Sequence, residues 1–575
     1  MQLRDAFKTE TFDQDKVISP KETIQRFKSA LKKVDLDIFE RTERIDSGRL
    51  GIPVFFSVCG KDAKHISGTK KQMGKGADPE QAEASAMMEL AERFSFFSFR
   101  NDPKRFFTGS FHDAAGQGGD EPLSLDMIAR SVNDDSPSST AAQKILADIP
   151  MKWAKGHNLT LGRDVMIPFD WFFAINEFNG TSAGNVREEA LTQGLCEVVE
   201  RHVSFLASEK IVEPPGIHLD SATDPAVKGL IEKYRKAGIE IYASDMSCGV
   251  GIPTVGVLGH DPSTFPQNSE LVWTAGTAPN AQKALARALT ETAQLAGDFN
   301  SGSNYVASGL PKFSTLAEAD FLIHPKGMVD ISSLPDVSNV NMKHEVERLV
   351  DAITKIGMEA LVIDTTHPLL QIPAFYTMLP GAHFRERANG ASVAMFSAKI
   401  ISETISPDRA AYELGRLDEA VPNAYFVKFY LGLTAIASGK LPAALKYLAQ
   451  ALEMDPLPQD TPAIYSYMGL CLKDMGEYKK ALAVLERGAE IDSQRTDIHN
   501  LTGFCYFMLK EHEKAIAAFE KVIAIDPSSA IDYANIASNY RDMGETQTAI
   551  HYYELALGID PSIDFARTNL AKLRG

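Results

Sequence analysis

The chain has no C-x-x-C pair: its cysteines, Cys59, Cys196, Cys248, Cys471 and Cys505, stand far apart. Such scatter argues against a zinc site or a disulfide framework, and it points to reduced thiols and a cytoplasmic setting. Also missing is an apolar run of about eighteen residues, the length a membrane-spanning helix needs, so no membrane partner is expected. The opening stretch MQLRDAFKTETFDQDK is polar and lacks the apolar segment of a secretory signal. Positive charge is in deficit. The formal net charge is −17, which argues against general binding to a phosphate backbone, so no nucleic-acid partner is expected. GKG occurs at 74–76, but no G-x-x-x-x-G-K-[ST] run does, so a P-loop is not indicated. No Ser-His-Asp or Cys-His grouping stands out by spacing, and His202 beside Arg201 reads as a packing residue rather than a base.

What remains is the composition of an ordinary globular protein, 44% hydrophobic and 23% charged. At 575 residues the chain predicts two to four folding units. The last third repeats. Gly432, Gly469, Gly503 and Ala537 follow one another at spacings of 37, 34 and 34 residues. Twelve residues after each stands Ala444, Ala481, Ala515 or Ala549, and four further on Leu448, Leu485, Phe519 or Tyr553. Pro456, Pro527 and Pro561 recur in phase behind them. Small residues let paired helices approach, large ones fill the groove, and proline stops the second helix. The pattern resembles the tetratricopeptide repeat, in four copies over 424–575 with SIDFARTNLAKLRG as a capping helix. Such arrays bind peptides or proteins. A linker is expected over 406–423.

Residues 1–405 read as an α/β region. IPVFFSVCG, GIPTVGVLG, EALVIDTTH and IPAFYTMLPG have the character of strands, with Ala- and Glu-rich helices between them. The Gly-, Ser- and Asp-rich stretch 109–140 predicts an irregular insertion loop.

Two helical segments in this region share one design. GKGADPEQAEASAMMELAERFSF (74–96) can be written over AGNVREEALTQGLCEVVERHVSF (183–205). The offset of 108 places Gly76 on Gly184, Ser85 on Gln193, Glu89 on Glu197, Glu92 on Glu200 and Arg93 on Arg201. A looser third copy, AGTAPNAQKALARALTETAQLAGDF (275–299), offers Ala284, Arg287, Glu291 and Gln294 at the same spacing. Polar residues at i, i+4 and i+7 share one helix face, and the other faces are apolar. The carboxylates are therefore expected to face an interior cleft. Two of them 4 Å apart repel by roughly 4 kcal/mol at an effective dielectric near 20, so four need cations or protons. Oxygen ligands of this kind suit Mg²⁺, which takes a few carboxylates and completes its shell with phosphate and water. The alternative is two solvated helices whose glutamates pair with Arg93 and Arg201.

These three stretches, with DTTHPLLQIPAFYTMLPG (364–381), resemble the YcaO superfamily over residues 10–405. The resemblance implies a YcaO-like α/β domain with mixed sheets and packed helices, followed by the all-α repeat array. It implies ATP and Mg²⁺ as cofactors. It assigns Glu89, Glu92, Glu197 and Glu200 to Mg²⁺, and Ser85, Asn185, Glu189, Arg201, Arg287 and Glu291 to the nucleotide. It makes Glu200, Arg201 and Arg287 the catalytic set. KVISPKETIQRF (16–27) resembles a further nucleotide-contacting stretch and adds Lys16, Thr23 and Arg26; Lys75 is either a phosphate neutraliser or a solvated side chain. The understood members phosphorylate a peptide amide oxygen, and one is linked to ribosomal-protein methylthiolation as an accessory factor. Azoline-forming members commonly end in a proline-rich tail, whereas this chain ends in NLAKLRG, which puts azole synthesis in doubt. The expected function is thus Mg²⁺-dependent amide activation on a peptide or protein substrate, with a partner held by the repeats. The alternative is a nucleotide-dependent scaffold. Oligomeric state stays open, a homodimer being compatible.

Overall fold

The computed structural model describes residues 1–9, 16–68, 71–116, 119–299, 305, 309–384 and 390–575. The chain forms two compact units, Met1–Ser136 with Pro150–Val393, and Pro137–Ile149 with Ala394–Gly575.

The described residues of the first unit form three sheets. An antiparallel one runs Phe39–Arg44, Val54–Cys59, Lys71–Lys75. A five-stranded one is ordered Val272–Thr277, Thr254–His260, Glu240–Asp245, Gly216–His218, Met328–Asp330, and its last pair is parallel. A six-stranded one is ordered Phe106–Gly109, Met151–Asn158, Leu361–Asp364, Ala374–Met378, Thr181–Ala183, with Arg163–Pro168 against Met151–Asn158. One strand of each sheet leads into a long helix: Lys71–Lys75 into Pro79–Asn101, Thr181–Ala183 into Arg187–Ser208, Val272–Thr277 into Ala281–Ala296. Strand Thr254–His260 is buried along its whole length, because helix Ala281–Ala296 packs on Val255 and Val257 while Leu310, Ala319 and Leu322 cluster with Leu258 on the other face.

The segment 109–140, expected to be an irregular insertion loop, is instead largely helical. It holds Phe111–Gly116, Leu125–Ser131 and the start of Pro137–Leu146. Its polar residues serve as helix caps: Ser124 accepts the Met127 N–H at 3.3 Å, and Ser110 and Asp113 bond reciprocally. Its apolar residues Ala114, Met127 and Ile128 are buried, which composition alone hid.

In the second unit the repeats occupy helix pairs Tyr425–Ala437 and Leu441–Glu453, Thr461–Asp474 and Tyr478–Ile491, Thr496–Met508 and His512–Ile525, Ala530–Asp542 and Thr546–Ile559. The in-phase glycines do what their spacing implied. A β-carbon on Gly432, Gly469 or Gly503 would come within 2.9, 2.4 and 2.7 Å of Leu448, Leu485 and Phe519 respectively. Helix Asp564–Arg574 closes the array over Ala566 and Leu570. The stretch 406–423, expected to be a linker, contains the helix Pro407–Ala420, because Ala410, Leu414 and Leu417 make one buried face.

Candidate functional site

The three strand-to-helix units place the site. Each helix starts close against its own strand. A β-carbon on Gly74 would lie 2.4 Å from the Ala82 carbonyl oxygen and 2.0 Å from the Ala86 nitrogen. On Gly276 it would lie 2.4 Å from the Ala284 oxygen and 2.6 Å from the Ala288 nitrogen, the equivalent atoms. The middle unit reverses the pair, with Ser182 on the strand and Gly194 on the helix; a β-carbon on Gly194 would come within 2.8 Å of the serine oxygen. Small residues on one side or the other therefore seat each helix on its strand. Asp78 and Asn280 cap the first and third helices at their N-termini.

The glutamate faces of the first two helices come together. Glu92 accepts a hydrogen bond from the Thr181 hydroxyl at 2.7 Å, and Arg93 lies 3.4 Å from Glu92 and 3.9 Å from Glu89. Glu197, one helix over, takes the Gly180 backbone N–H and feels Arg201, Arg93 and Glu200. Glu200 accepts the Thr277 N–H at 2.8 Å, which ties the second helix to the third unit. From that unit Arg287 donates to Gln193 at 2.9 Å, and Glu291 pairs with Lys75. The Arg201 guanidinium packs on Gly309, where a β-carbon would meet it at 2.6 Å. Ser85 sits half-buried one turn before Glu89.

A second cluster gathers at the start of the second helix. Asn185 donates to Thr23 at 3.0 Å and to Glu189 at 3.2 Å, and Lys16 lies 3.7 Å from Glu189. Thr23 is buried, whereas Arg26, on the same helix, is exposed. From Glu189 to Glu200 the polar ladder Glu189, Gln193, Glu197, Glu200 runs along one helix face for about 16 Å at 1.5 Å per residue.

Electrostatics explain what such a face lacks. Burial, with repulsion among the carboxylates, pushes Glu89 and Glu197 above the usual carboxylate range and Glu92 up to about 8. Burial and the nearby Arg287 push Lys75 down to about 8. Arg287 Nε is buried with no hydrogen-bond acceptor among the described residues. The site thus holds carboxylates that favour protons or cations, beside guanidinium groups that favour an anion. That donor set fits a divalent cation bridged to phosphate. Among the described residues no three His, Cys, Asp or Glu side chains are preassembled at metal-ligand spacing. Mg²⁺ commonly takes one or two carboxylates and draws its other ligands from phosphates and water, so the fit stands without such a trio.

No sequence pattern marks Gly180, in the turn before strand Thr181–Ala183, Thr181 at the start of that strand, or Thr277 at the end of Val272–Thr277, yet all three bond the carboxylates. Their only sequence signal is position, at or beside the strand that precedes the second or the third helix. Lys75, whose place in the sequence leaves both solvent and phosphate open, pairs with Glu291. His202 is a packing residue: its Nδ1 accepts the His383 N–H at 3.2 Å, its ring stacks on His383, and burial holds it down at about 4. No described helix is long and apolar enough to cross a membrane.

The chain is similar to several known proteins and families. Residues 436–522 match the model of subunit 3 of the anaphase-promoting complex, and 533–563 match the tetratricopeptide repeat. An uncharacterized protein of Methanothermobacter thermautotrophicus is 27% identical over 387 residues, 63% of this chain and 94% of that protein. The ribosomal protein S12 methylthiotransferase accessory factor YcaO of Escherichia coli is 30% identical over 305 residues, 50% of each chain. Among solved structures, YcaO from Methanopyrus kandleri bound with AMPPCP and Mg²⁺ superposes with a TM-score of 0.50 at 21% identity, covering 68% of this chain and 97% of that one. A heterocyclase in complex with substrate and cofactor gives 0.53 at 20% identity, over 67% of this chain and 54% of that one. These structural likenesses establish the fold. Residues 73–383, more than half of the chain, match the family model described as YcaO cyclodehydratase, ATP- and Mg²⁺-binding, and the protein belongs to that family.

Proposed function

We propose that this protein is a Mg²⁺-dependent, ATP-using enzyme that phosphorylates a backbone amide oxygen of a peptide or protein, and that its repeats recruit the protein concerned. The observation that carries this is the convergence of two equivalent carboxylate helices on Arg201, Arg287 and Lys75. Bound Mg²⁺ would neutralise phosphate charge, with Glu89, Glu92, Glu197 and Glu200 as its ligands. The residues do the rest. The polar cluster of Asn185, Glu189, Lys16 and Thr23 would receive the nucleoside end, with Ser85 and Glu291 flanking the phosphates. Arg201 and Arg287 meet the charge that develops on the γ-phosphoryl group, and Arg287 Nε gains the acceptor it lacks. The amide oxygen attacks the γ-phosphorus, the bond to the bridging oxygen breaks, and ADP leaves; a nucleophile can then attack the amide carbon and expel phosphate. Support comes from the Escherichia coli relative, which is named an accessory factor of ribosomal protein S12 methylthiotransferase. It suggests a ribosomal-protein substrate here as well. In the repeats a groove of about 400 Å³, lined in part by Tyr467, Leu470, Asn500 and Asp532, offers room for a partner segment.

Isotope transfer tests this reading. A substrate carrying ¹⁸O at the reacting amide should deliver the label to released phosphate. Phosphate oxygen drawn only from water, with modified substrate in hand, would leave the nucleotide-dependent scaffold.

A further inference from the structure

The turn Glu177–Thr181 touches both glutamate helices at once. Gly180 donates its N–H to Glu197, and Thr181 donates its hydroxyl to Glu92 at 2.7 Å. Phe178 stacks under the Arg93 guanidinium at 4.2 Å and offers it a carbonyl at 3.5 Å, while Arg93 donates to the Thr181 oxygen at 3.0 Å. The turn is rigidly built. Glu177 has φ 49° and Gly180 φ 90°; a β-carbon on Gly180 would lie 2.2 Å from the Thr377 carbonyl oxygen, and the Thr377 N–H returns to Gly180 at 2.8 Å. Thr181 is 1% exposed, so its hydroxyl needs an acceptor. It has two within reach, Glu92 Oε1 and the Phe178 carbonyl at 2.8 Å, and only one proton to give.

We propose that the Phe178–Thr181 turn is a positioning element for the metal-side carboxylates of both helices, with the Thr181 hydroxyl as its latch. The hydroxyl aims Glu92 while the carboxylate waits. It keeps a buried partner in Phe178 when the carboxylate turns to a cation, so releasing Glu92 strands no O–H group. This inference rests on the site reading above and deepens it. Arg93, Phe178 and Thr181 act through Glu89, Glu92 and Glu197, as outer-shell partners do; losing such a partner commonly costs about 10- to 100-fold in metal affinity.

Thr181→Val keeps the shape and removes the proton, and Thr181→Ser keeps the proton. Binding of a fluorescent ATP analogue to the full chain is titrated against Mg²⁺, and free Mn²⁺ is counted by electron paramagnetic resonance. Thr181→Val is expected to raise the Mg²⁺ midpoint about 10-fold and to leave more Mn²⁺ free, with Thr181→Ser close to the unmodified protein. An unchanged midpoint in folded Thr181→Val overturns the inference alone. Absence of Mg²⁺-dependent binding in the unmodified protein overturns the site reading and the inference with it. If Thr181→Val does not fold, Phe178→Leu withdraws the ring from Arg93 and is expected to raise the same midpoint; an unchanged midpoint there overturns the inference.

Discussion

Glu92→Gln should make the nucleotide-free protein more stable, and only where Glu92 would be ionised. Burial, opposed by Arg93 and reinforced by Glu197 and Glu89, raises this carboxyl from 4.5 to about 8. A tenfold change in acidity is worth about 1.36 kcal/mol, so full ionisation in the folded state costs on the order of 5 kcal/mol. The value of about 8 already nets the 3.4 Å pairing with Arg93 against the repulsion, and that repulsion is shared, so a proton taken up by Glu89 or Glu197 relieves part of the cost in the unmodified protein. A net gain of about 2 kcal/mol is therefore expected, or about 2–3 °C in a unit of this size. The sign follows from linkage. A carboxyl whose folded value is raised lends stability that is full below 4.5 and lost as pH rises through about 8. The variant should thus match the unmodified protein near pH 4.5 and exceed it near pH 8.5. Tryptophan fluorescence is a clean assay, because Trp153, Trp171 and Trp273 are all buried and all lie in the first unit. Melts are run with EDTA and no nucleotide. A loss of stability at both pH values would refute the reasoning and make Glu92 a structural partner of Arg93.

Two further outcomes follow from the same geometry. MgATP affinity should pass through a maximum near pH 8, where Glu92 gains its charge and Lys75 loses its own; calorimetric titration across pH checks this, and Lys75→Arg should abolish the fall on the alkaline side while leaving the acidic side. Gly194→Ala should cost about 1–3 kcal/mol in the same fluorescence melt, because its β-carbon would meet Thr377 Oγ at 2.4 Å and Ser182 Oγ at 2.8 Å. Adding Ser182→Gly recreates the glycine-on-strand, alanine-on-helix pair of the other two units and should recover part of the loss, so an unrelieved double variant would contradict the packing argument.

Much of this protein was legible from short-range pattern. The repeat register showed which residues meet, since Gly469 and Leu485 stand in helices joined by a short turn and their spacing leaves little freedom. The offset of 108 between Glu89–Glu92 and Glu197–Glu200 marked both carboxylate faces, because i, i+4 and i+7 share a helix face whatever surrounds it. Only tertiary structure decided what those faces meet. Thr181 reaches Glu92 from 89 residues away and Thr277 reaches Glu200 from 77, each through a strand end whose own sequence carries no periodic mark. The same limit explains 109–140. Serine and aspartate cap helices as readily as they fill loops, and the burial of Met127 and Ile128, which separates the two, exists only once the chain has packed against itself.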